Sequence, residues 1–267
     1  MTADLIWLEM ANSGMLDGDP VLLLTETGST NEVAIGLADE GAAAYSIVLA
    51  ESQTEGRGRL GKRWQSPPDS GLYFSLILRP HLDPGDMPKI TLAAGLAVCA
   101  AIEKISGLSL LIKWPNDILL DGRKLGGILS EVADLQGDDS RPAVVLGVGL
   151  NINTPLSAFP EELQDTAVSL AVHSGHEYLR GEILVAIVAE IKKIVARFEH
   201  EGFVKILEEW RRRDATLGRE LAWVTLGGTI VRGISMGPDA SGQLLIRDKN
   251  GLIHEVLSGD INMLQKR

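Results

Sequence analysis

The sequence predicts an α+β fold: a domain of some 215 residues holding both strands and helices, followed by a small all-β domain. Two observations carry this expectation. Before residue 217, short apolar runs of strand type stand among segments whose apolar residues recur at helical spacing. After Leu217 only short β-type runs remain, separated by tight-turn residues. A chain of 267 residues can bury a large core without disulfides or metals. No internal repeat or low-complexity segment interrupts it.

Val21–Thr25 is the first strand-like run. Ser29 and Glu32 then have the spacing of a capping box, which predicts a helix to about Asp39. Ser46–Ala50 is a second strand and runs into a basic, glycine-rich loop. Leu72–Leu78, bounded by Gly71 and Pro80, is a third. Ile90–Ile105 reads as a buried helix. Its apolar stretch, Ile90–Ile102, is too short to span a bilayer. Leu110–Lys113 is a strand that stops at Trp114-Pro115. Asp117–Leu120 and Leu125–Val132 flank Asp121-Gly122, a strong hairpin signal. Gln136–Pro142 is a polar turn and Ala143–Gly149 a buried strand.

Ile183, Leu184, Ile187, Val188, Ile191, Ile194, Val195 and Phe198 recur at helical spacing, and Gly202 ends that helix. A shorter helix carries Trp210. Arg211-Arg212-Arg213 falls in its last turn, where cations complement the helix dipole. Leu221–Thr225, Thr229–Ile234, Gln243–Arg247 and Ile253–Leu257 follow. Gly227-Gly228, Pro238-Asp239, Asn250-Gly251 and Gly259-Asp260 separate or follow them, as in a small barrel. The expected boundaries are 1–217 for the larger domain and 218–267 for the β-domain.

Lys and Arg number 25 against 36 Asp and Glu, for a net charge of −11. Such a balance disfavours a broad duplex-binding face. No basic segment followed by an apolar run opens the chain, so a soluble cytoplasmic protein without a signal peptide is expected. One cysteine, Cys99, excludes an intrachain disulfide and reads as core.

The charge is uneven. Ten acidic residues precede the first basic one, Arg57. Arg57, Arg59, Lys62 and Arg63 then arrive together, interleaved with Gly56, Gly58 and Gly61. Glycines let a backbone approach a ligand closely, and four cations suit a compact anion such as a polyphosphate. Gly56 to Lys62 fits the first seven positions of a P-loop. Arg63 replaces the Ser or Thr that would meet Mg²⁺, and Trp64–Pro68 cannot open a helix, so a P-loop is excluded. The five histidines offer no metal-ligand spacing that persuades, and no G-x-S-x-G elbow is present.

A second informative segment holds Lys113-Trp114-Pro115-Asn116-Asp117, then Lys124-Leu125-Gly126-Gly127-Ile128-Leu129-Ser130-Glu131. Asn116 and Asp117 at a bend could ligate Mg²⁺ or bond a ribose or nucleophile; a plain hairpin with Asx turn residues is the other reading. Gly147-Val148-Gly149-Leu150-Asn151 could line a nucleotide site or simply end a strand.

Together and in this order, these segments resemble the biotin protein ligases. Gly56–Trp64 is similar to that family's G-R-G-R-x-G-R-x-W loop, Lys113–Asp117 to its K-W-P-N-D, and Gly28-Ser29-Thr30-Asn31 to its early S-T-N. The resemblance covers about Val21 to Arg267. It implies a mixed β-sheet flanked by helices, class II aminoacyl-tRNA synthetase-like, with a small C-terminal SH3-like β-barrel. It implies that biotin's carboxylate attacks the α-phosphate of MgATP to give biotinyl-5′-AMP. A lysine of a biotin carboxyl carrier protein, or an equivalent carboxylase domain, then takes the biotinyl group.

The resemblance assigns biotin to Ser29, Thr30, Asn31, Gln53, Arg57, Gly58, Arg59 and Lys124. It assigns ATP or the adenylate to Arg57, Arg59, Lys62, Trp64, Asn116, Lys124, Gly127 and Asn151. Arg59, Lys124 and Asp117 are the implied catalytic residues, and Asn116 and Asp117 the candidates near Mg²⁺. Lys62 stands where the family usually has Arg and loses bidentate geometry. The adenine-stacking Trp of some members is absent from Ala167-Val168-Ser169-Leu170. About 20 acidic-rich residues precede Val21 without a cation, so no DNA-binding repressor function is expected. No nucleic-acid or membrane partner is expected; a sheet edge could serve a homodimer. The alternatives are a lipoate–protein ligase, which shares fold and adenylation logic, and a non-catalytic biotin or nucleotide sensor.

Overall fold

The computed structural model describes residues 19–133, 142–224, 230–257, 259 and 261–263. The acidic residues before Asp19 lie outside that set, as do most of the Gln136–Pro142 turn and the Gly227-Gly228 turn.

Seven strands form the main sheet. They are β1 (Val21–Thr27), β2 (Ile47–Gln53), β3 (Leu72–Leu78), β4 (Leu110–Lys113), β5 (Asp117–Leu120), β6 (Arg123–Ala133) and β7 (Ala143–Leu150). Their order is β1-β2-β3-β7-β6-β5-β4. The β1–β2 pair is parallel and the others antiparallel, so the sheet is mixed. The parallel pair follows from α1 (Thr30–Asp39), which carries the chain over between them.

Helix α1 covers one sheet face: Ala34 and Ala38 pack on Val48, Ile77, Ala133, Ala143 and Val145. The other face carries α2 (Ile90–Ser106), α4 (Arg180–Glu201) and α5 (Phe203–Arg212); a short α3 (Leu170–Ser174) lies between α2 and α4 in the chain. The eight periodic residues of α4 are all buried. The apolar α2 sits in the core, as its alanine-rich sequence requires. Together with the turn before it, Pro84–Ser106, it is the one described helical segment long and apolar enough to cross a membrane, and most of it is buried. Cys99 is fully buried there, and burial pushes its thiol up to about 12.

Five further strands make an antiparallel sheet: β8 (Glu220–Val224), β9 (Ile230–Pro238), β10 (Leu244–Asp248), β11 (Ile253–Val256) and β12 (Ile261–Met263), in order β11-β10-β9-β8-β12. Its buried Leu221, Leu244, Ile246, Val256 and Ile261 join the same core as the larger sheet. Strand β12 is too short to carry a period and was not expected.

One expectation needs correction and one is extended. Ser29 occupies the N-cap position of α1, but its side chain makes no cap hydrogen bond. Its partner in the expected box, Glu32, pairs instead with Arg57 at 3.3 Å. Arg211 and Arg212 lie in the last turn of α5, as expected, but Arg211 and Arg213 do more than complement a helix dipole. Arg213 forms a two-pronged ion pair with Glu103 of α2, and Arg211 donates to the Pro238 carbonyl of β9. They fasten α5 to its neighbours.

One buried ion pair had no sequence signal. Arg180, the first residue of α4, meets Glu51 of β2 at 2.9 Å, with side chains 1% and 4% exposed. Arg180 also donates to the Gly71 carbonyl at 2.9 Å, which fixes the chain where it re-enters β3.

Candidate active site

Most of the site residues lie at or just beyond the ends of β2, β5, β6 and β7. They surround one cavity of about 380 Å³. All of Ser29, Thr30, Asn31, Gln53, Arg57, Gly58, Arg59, Lys62, Trp64, Asn116, Asp117, Lys124, Gly127 and Asn151 line it. Segments separated by up to about 120 residues in sequence therefore meet at one place.

The head of the cavity is a hydrogen-bond network. Gln53 Oε1 accepts from the Thr30 backbone N–H (2.9 Å) and hydroxyl (3.2 Å), and its amide donates to Ser66 Oγ (2.8 Å). Ser75 on β3, fully buried, donates to Asn31 Oδ1 at 2.6 Å and lies 2.8 Å from Thr30 Oγ1. Asn31 donates to Glu131 Oε2 at 2.8 Å and to the Leu129 carbonyl at 3.3 Å. Both amide protons of Asn31 are thus used by the scaffold, leaving it one acceptor lone pair for a ligand. Thr30 likewise spends its N–H and hydroxyl on Gln53, whereas the Ser29 side chain makes no cap hydrogen bond. Ser75 belongs to this network and was not singled out by the sequence; Glu131, the last residue of the informative Lys124–Glu131 segment, belongs to it without having been given a role there. A serine inside an apolar strand, as in Leu72–Leu78, is the signal that could have found Ser75.

The basic loop closes on itself. Gly58 N–H donates to the Lys62 carbonyl at 2.7 Å, and Trp64 N–H to the Gly56 carbonyl at 2.8 Å. Leu60 at its tip has φ +57, a left-handed conformation unusual for leucine, and is 62% exposed. Arg57 is held between Glu32 and Glu131 (3.0 Å). Arg63 donates to the Thr54 carbonyl at 2.6 Å. The Arg59 guanidinium lies 5.9 Å from the centre of the Trp114 ring. The loop has no helix after it, as the rejection of a P-loop required.

Lys124 and Asp117 form the other wall. Lys124 Nζ lies 2.6 Å from Asp117 Oδ1 and 5.5 Å from the centre of the Trp64 ring. A register shift between β5 and β6 brings them together: Ile118 pairs with Gly126, but Leu119 pairs with Lys124, so Leu125 is the extra residue of a bulge. In unbroken register Lys124 would point to the opposite face from Asp117. The Leu125 carbonyl accepts from Asn151 N–H at 2.9 Å. Lys124's own backbone pairs with Thr166 and Val168.

The glycines here are spacers. A Cβ on Gly149 would lie 2.6 Å from Trp64 Nε1, and one on Gly147 would overlap Asn31 Oδ1. Gly127 instead faces the Lys124–Asp117 pair at 3.6–3.8 Å. Asn116 donates its amide to the Ile128 carbonyl at 2.9 Å, and Asn151 donates to the Val168 carbonyl at 3.2 Å. Ile261 and Asn262 also line the cavity, so the C-terminal sheet contributes to it. Trp114 helps seat that sheet by donating from Nε1 to the Gly242 carbonyl at 3.0 Å.

The arrangement combines a donor–acceptor network for a neutral polar head group, cations for an anion, and a lysine–carboxylate pair between them. Comparison with known proteins agrees. The sequence profile of the Biotin/lipoate A/B protein ligase family matches residues 25–151. The bifunctional ligase/repressor BirA of Bacillus subtilis is 36% identical over 236 residues, 88% of this chain and 71% of its own. The biotin–[acetyl-CoA-carboxylase] ligase of Paracoccus denitrificans is 34% identical, over 86% of this chain and 95% of its own. Among solved structures, biotin protein ligase from Aquifex aeolicus in complex with biotin and ATP superposes with a TM-score of 0.78. It is 29% identical and matches over 92% of this chain and 99% of its own.

Proposed function

The chain belongs to the biotin/lipoate A/B protein ligase family, and on that premise we propose how its cavity joins biotin to ATP and passes the product to a carrier lysine. It is a biotin protein ligase, an ATP-dependent enzyme that biotinylates a carrier domain of a carboxylase. The lipoate alternative is not favoured, because the relatives it resembles are biotin ligases. The observation that carries the reading is the cavity itself, which brings the basic loop, the Lys124–Asp117 pair and the Thr30–Gln53 network together.

In the first step a biotin carboxylate oxygen bonds to the α-phosphorus of ATP, and the bond from that phosphorus to the bridging oxygen breaks. Pyrophosphate leaves and biotinyl-5′-AMP remains. Two anions must meet, so the reaction depends on fixed cations. Lys124 bonds the carboxylate and offsets charge that builds on the phosphoryl oxygens, with Arg57, Arg59 and Lys62 on the far side. Gly58 lets the loop backbone approach the adenylate. Ser29, Thr30, Asn31 and Gln53 bound the ureido head, and Trp64, Gly127 and Asn151 border the nucleotide. In the second step the carrier lysine attacks the mixed anhydride, forming an amide and releasing AMP. Asp117, already paired to Lys124, orients the incoming amine and accepts its proton.

Mg²⁺ enters with the nucleotide as MgATP. Among the described residues no three His, Cys, Asp or Glu side chains gather as a metal site. Lys124 occupies one Asp117 oxygen, so Asn116 and Asp117 can add at most a ligand or two to an ion already held by phosphates.

We read residues 1–217 as the catalytic domain, related to class II aminoacyl-tRNA synthetases, and 218–267 as an SH3-like domain. We place the protein in the cytoplasm, without a membrane or nucleic-acid partner. Self-association or acceptor docking would use the edge of β6 from Ser130 to Ala133, beyond its pairing with β5 and with Asn116. The decisive experiment is intact-mass analysis of a biotin carrier domain incubated with the protein, MgATP and either biotin or lipoate. A mass gain with biotin alone is expected. A gain with lipoate alone, or none with either while pyrophosphate stays bound in ATP, would overturn the assignment.

A further inference from the structure

We propose that Glu131 is a positioning residue for this reaction, which ties the basic loop to the helix bearing Ser29–Asn31. The inference rests on the ligase reading and concerns a residue to which neither half-reaction assigns a role. Each carboxylate oxygen of Glu131 has its own partner. Oε2 accepts from Asn31 Nδ2 at 2.8 Å, and Oε1 accepts from Arg57 at 3.0 Å.

The first partner cannot move. Asn31 is 4% exposed, its Oδ1 is held by Ser75, its amide also reaches the Leu129 carbonyl, and it packs so closely on Gly147 that a Cβ there would overlap it. A rigid buried amide therefore aims the carboxylate. The second partner belongs to a loop that crosses the cavity on glycines. Arg57 also bridges through its backbone to Arg63, the two sides of the loop. Holding the Arg57 side chain thus holds the loop's entry and exit together.

A lone exposed ion pair contributes little, because ordering both side chains offsets the attraction. Glu131 is different: its bond to Asn31 already orders it before it meets Arg57. Charge-assisted hydrogen bonds are also the stronger kind. Glu32, at 3.3 Å from the same guanidinium, is 55% exposed and adds less. Glu131 so converts a rigid point of the ureido pocket into a hold on the phosphate-facing loop. Loss of the hold loosens the adenylate without removing any group that touches reacting atoms.

The test uses the full chain and three variants: E131Q, R57A and the double variant. Dissociation of biotinyl-5′-AMP is measured by chase, with steady-state KM for biotin and kcat alongside. E131Q is expected to release the adenylate about tenfold faster and to raise KM about as much, with kcat changing less than about threefold, the size of losing one charge-assisted contact. On the R57A background E131Q is expected to change nothing further, because it acts through Arg57. Unchanged release by E131Q, or an equal effect with and without Arg57, would overturn the proposal. Should E131Q not fold, E131D carries the same cycle: it keeps the charge but loses the reach, and an intermediate release rate is expected only in the presence of Arg57. Pyrophosphate release by the unaltered protein separates the two levels. Its absence removes the ligase reading, whereas its presence with unchanged E131Q removes only the role of Glu131.

Discussion

Lys124 is where backbone irregularity becomes chemistry. It shares the cavity wall with Asp117 only because Leu125 is bulged out of the β5–β6 register. On the proposed mechanism Lys124 is the cation for both the carboxylate and the α-phosphate, so Lys124→Ala is expected to lower adenylate formation by about 10²–10³, measured as pyrophosphate release. A fall of less than about tenfold would exclude that role. Gly147→Ala tests, from behind, the pocket proposed for the ureido head. The new Cβ would overlap Asn31 Oδ1, and overpacking of this kind costs about 1–3 kcal/mol, so biotin binding by calorimetry should weaken by about tenfold or more. At this scale the sequence was informative about identity and silent about posture. Ser29, Thr30, Asn31 and Gln53 are legible from the resemblance. That Asn31 spends both amide protons on the scaffold is not, because its partners Glu131 and Leu129 lie about 100 residues away.

Strand and helix positions were legible almost throughout, because each carried its own period and its own stop signal. Leu72–Leu78, Leu110–Lys113 and Asp117–Leu120 lie where the apolar runs and turn residues put them. Asp121 and Gly122 both have positive φ, as the two-residue turn between β5 and β6 demands. The capping box failed for a physical reason: Glu32 had a competing partner, Arg57, that no local pattern could reveal. The Arg180–Glu51 pair was equally hidden, since an arginine opening a helix and a glutamate inside a strand look solvent-facing in isolation. Glu51→Ala would leave a guanidinium buried without its counter-charge. A loss of about 3–5 kcal/mol in urea unfolding is expected, while replacing both partners with apolar residues of similar volume should cost far less. Equal losses for the single and double changes would contradict this account.

The whole molecule is held together at a junction between its two sheets. Asp214 follows the Arg211–Arg213 run, beside Gly237 of β9. Its Oδ1 accepts from the Thr216 N–H and hydroxyl at 2.7 Å each, while Oδ2 is buried with no hydrogen-bond partner. Burial holds this carboxyl above its ordinary value of 3.8, with the Thr216 bonds and Arg211 pulling the other way. A carboxyl with a raised folded-state value adds stability below its unfolded value and loses it as pH rises through the folded one. Asp214→Asn keeps the Oδ1 acceptor and removes the charge. Its Tm should therefore exceed that of the unaltered protein at pH 7, with the gap closing as pH falls toward 3.8. A lower Tm at pH 7 would refute the assignment.

By itself the sequence determined the class of fold, the order of nearly every element, the biotin protein ligase resemblance and most of the cavity's lining. These properties are local: periodicity, turn chemistry and short motifs are written in consecutive residues. Only the tertiary structure decided the strand order, the continuity of the core into the C-terminal sheet, and the contacts that aim Lys124, Asn31 and Arg57. Those depend on which distant side chains and backbone groups come within a few ångströms of one another. Many pairings satisfy the same local patterns, and packing of the whole chain selects among them.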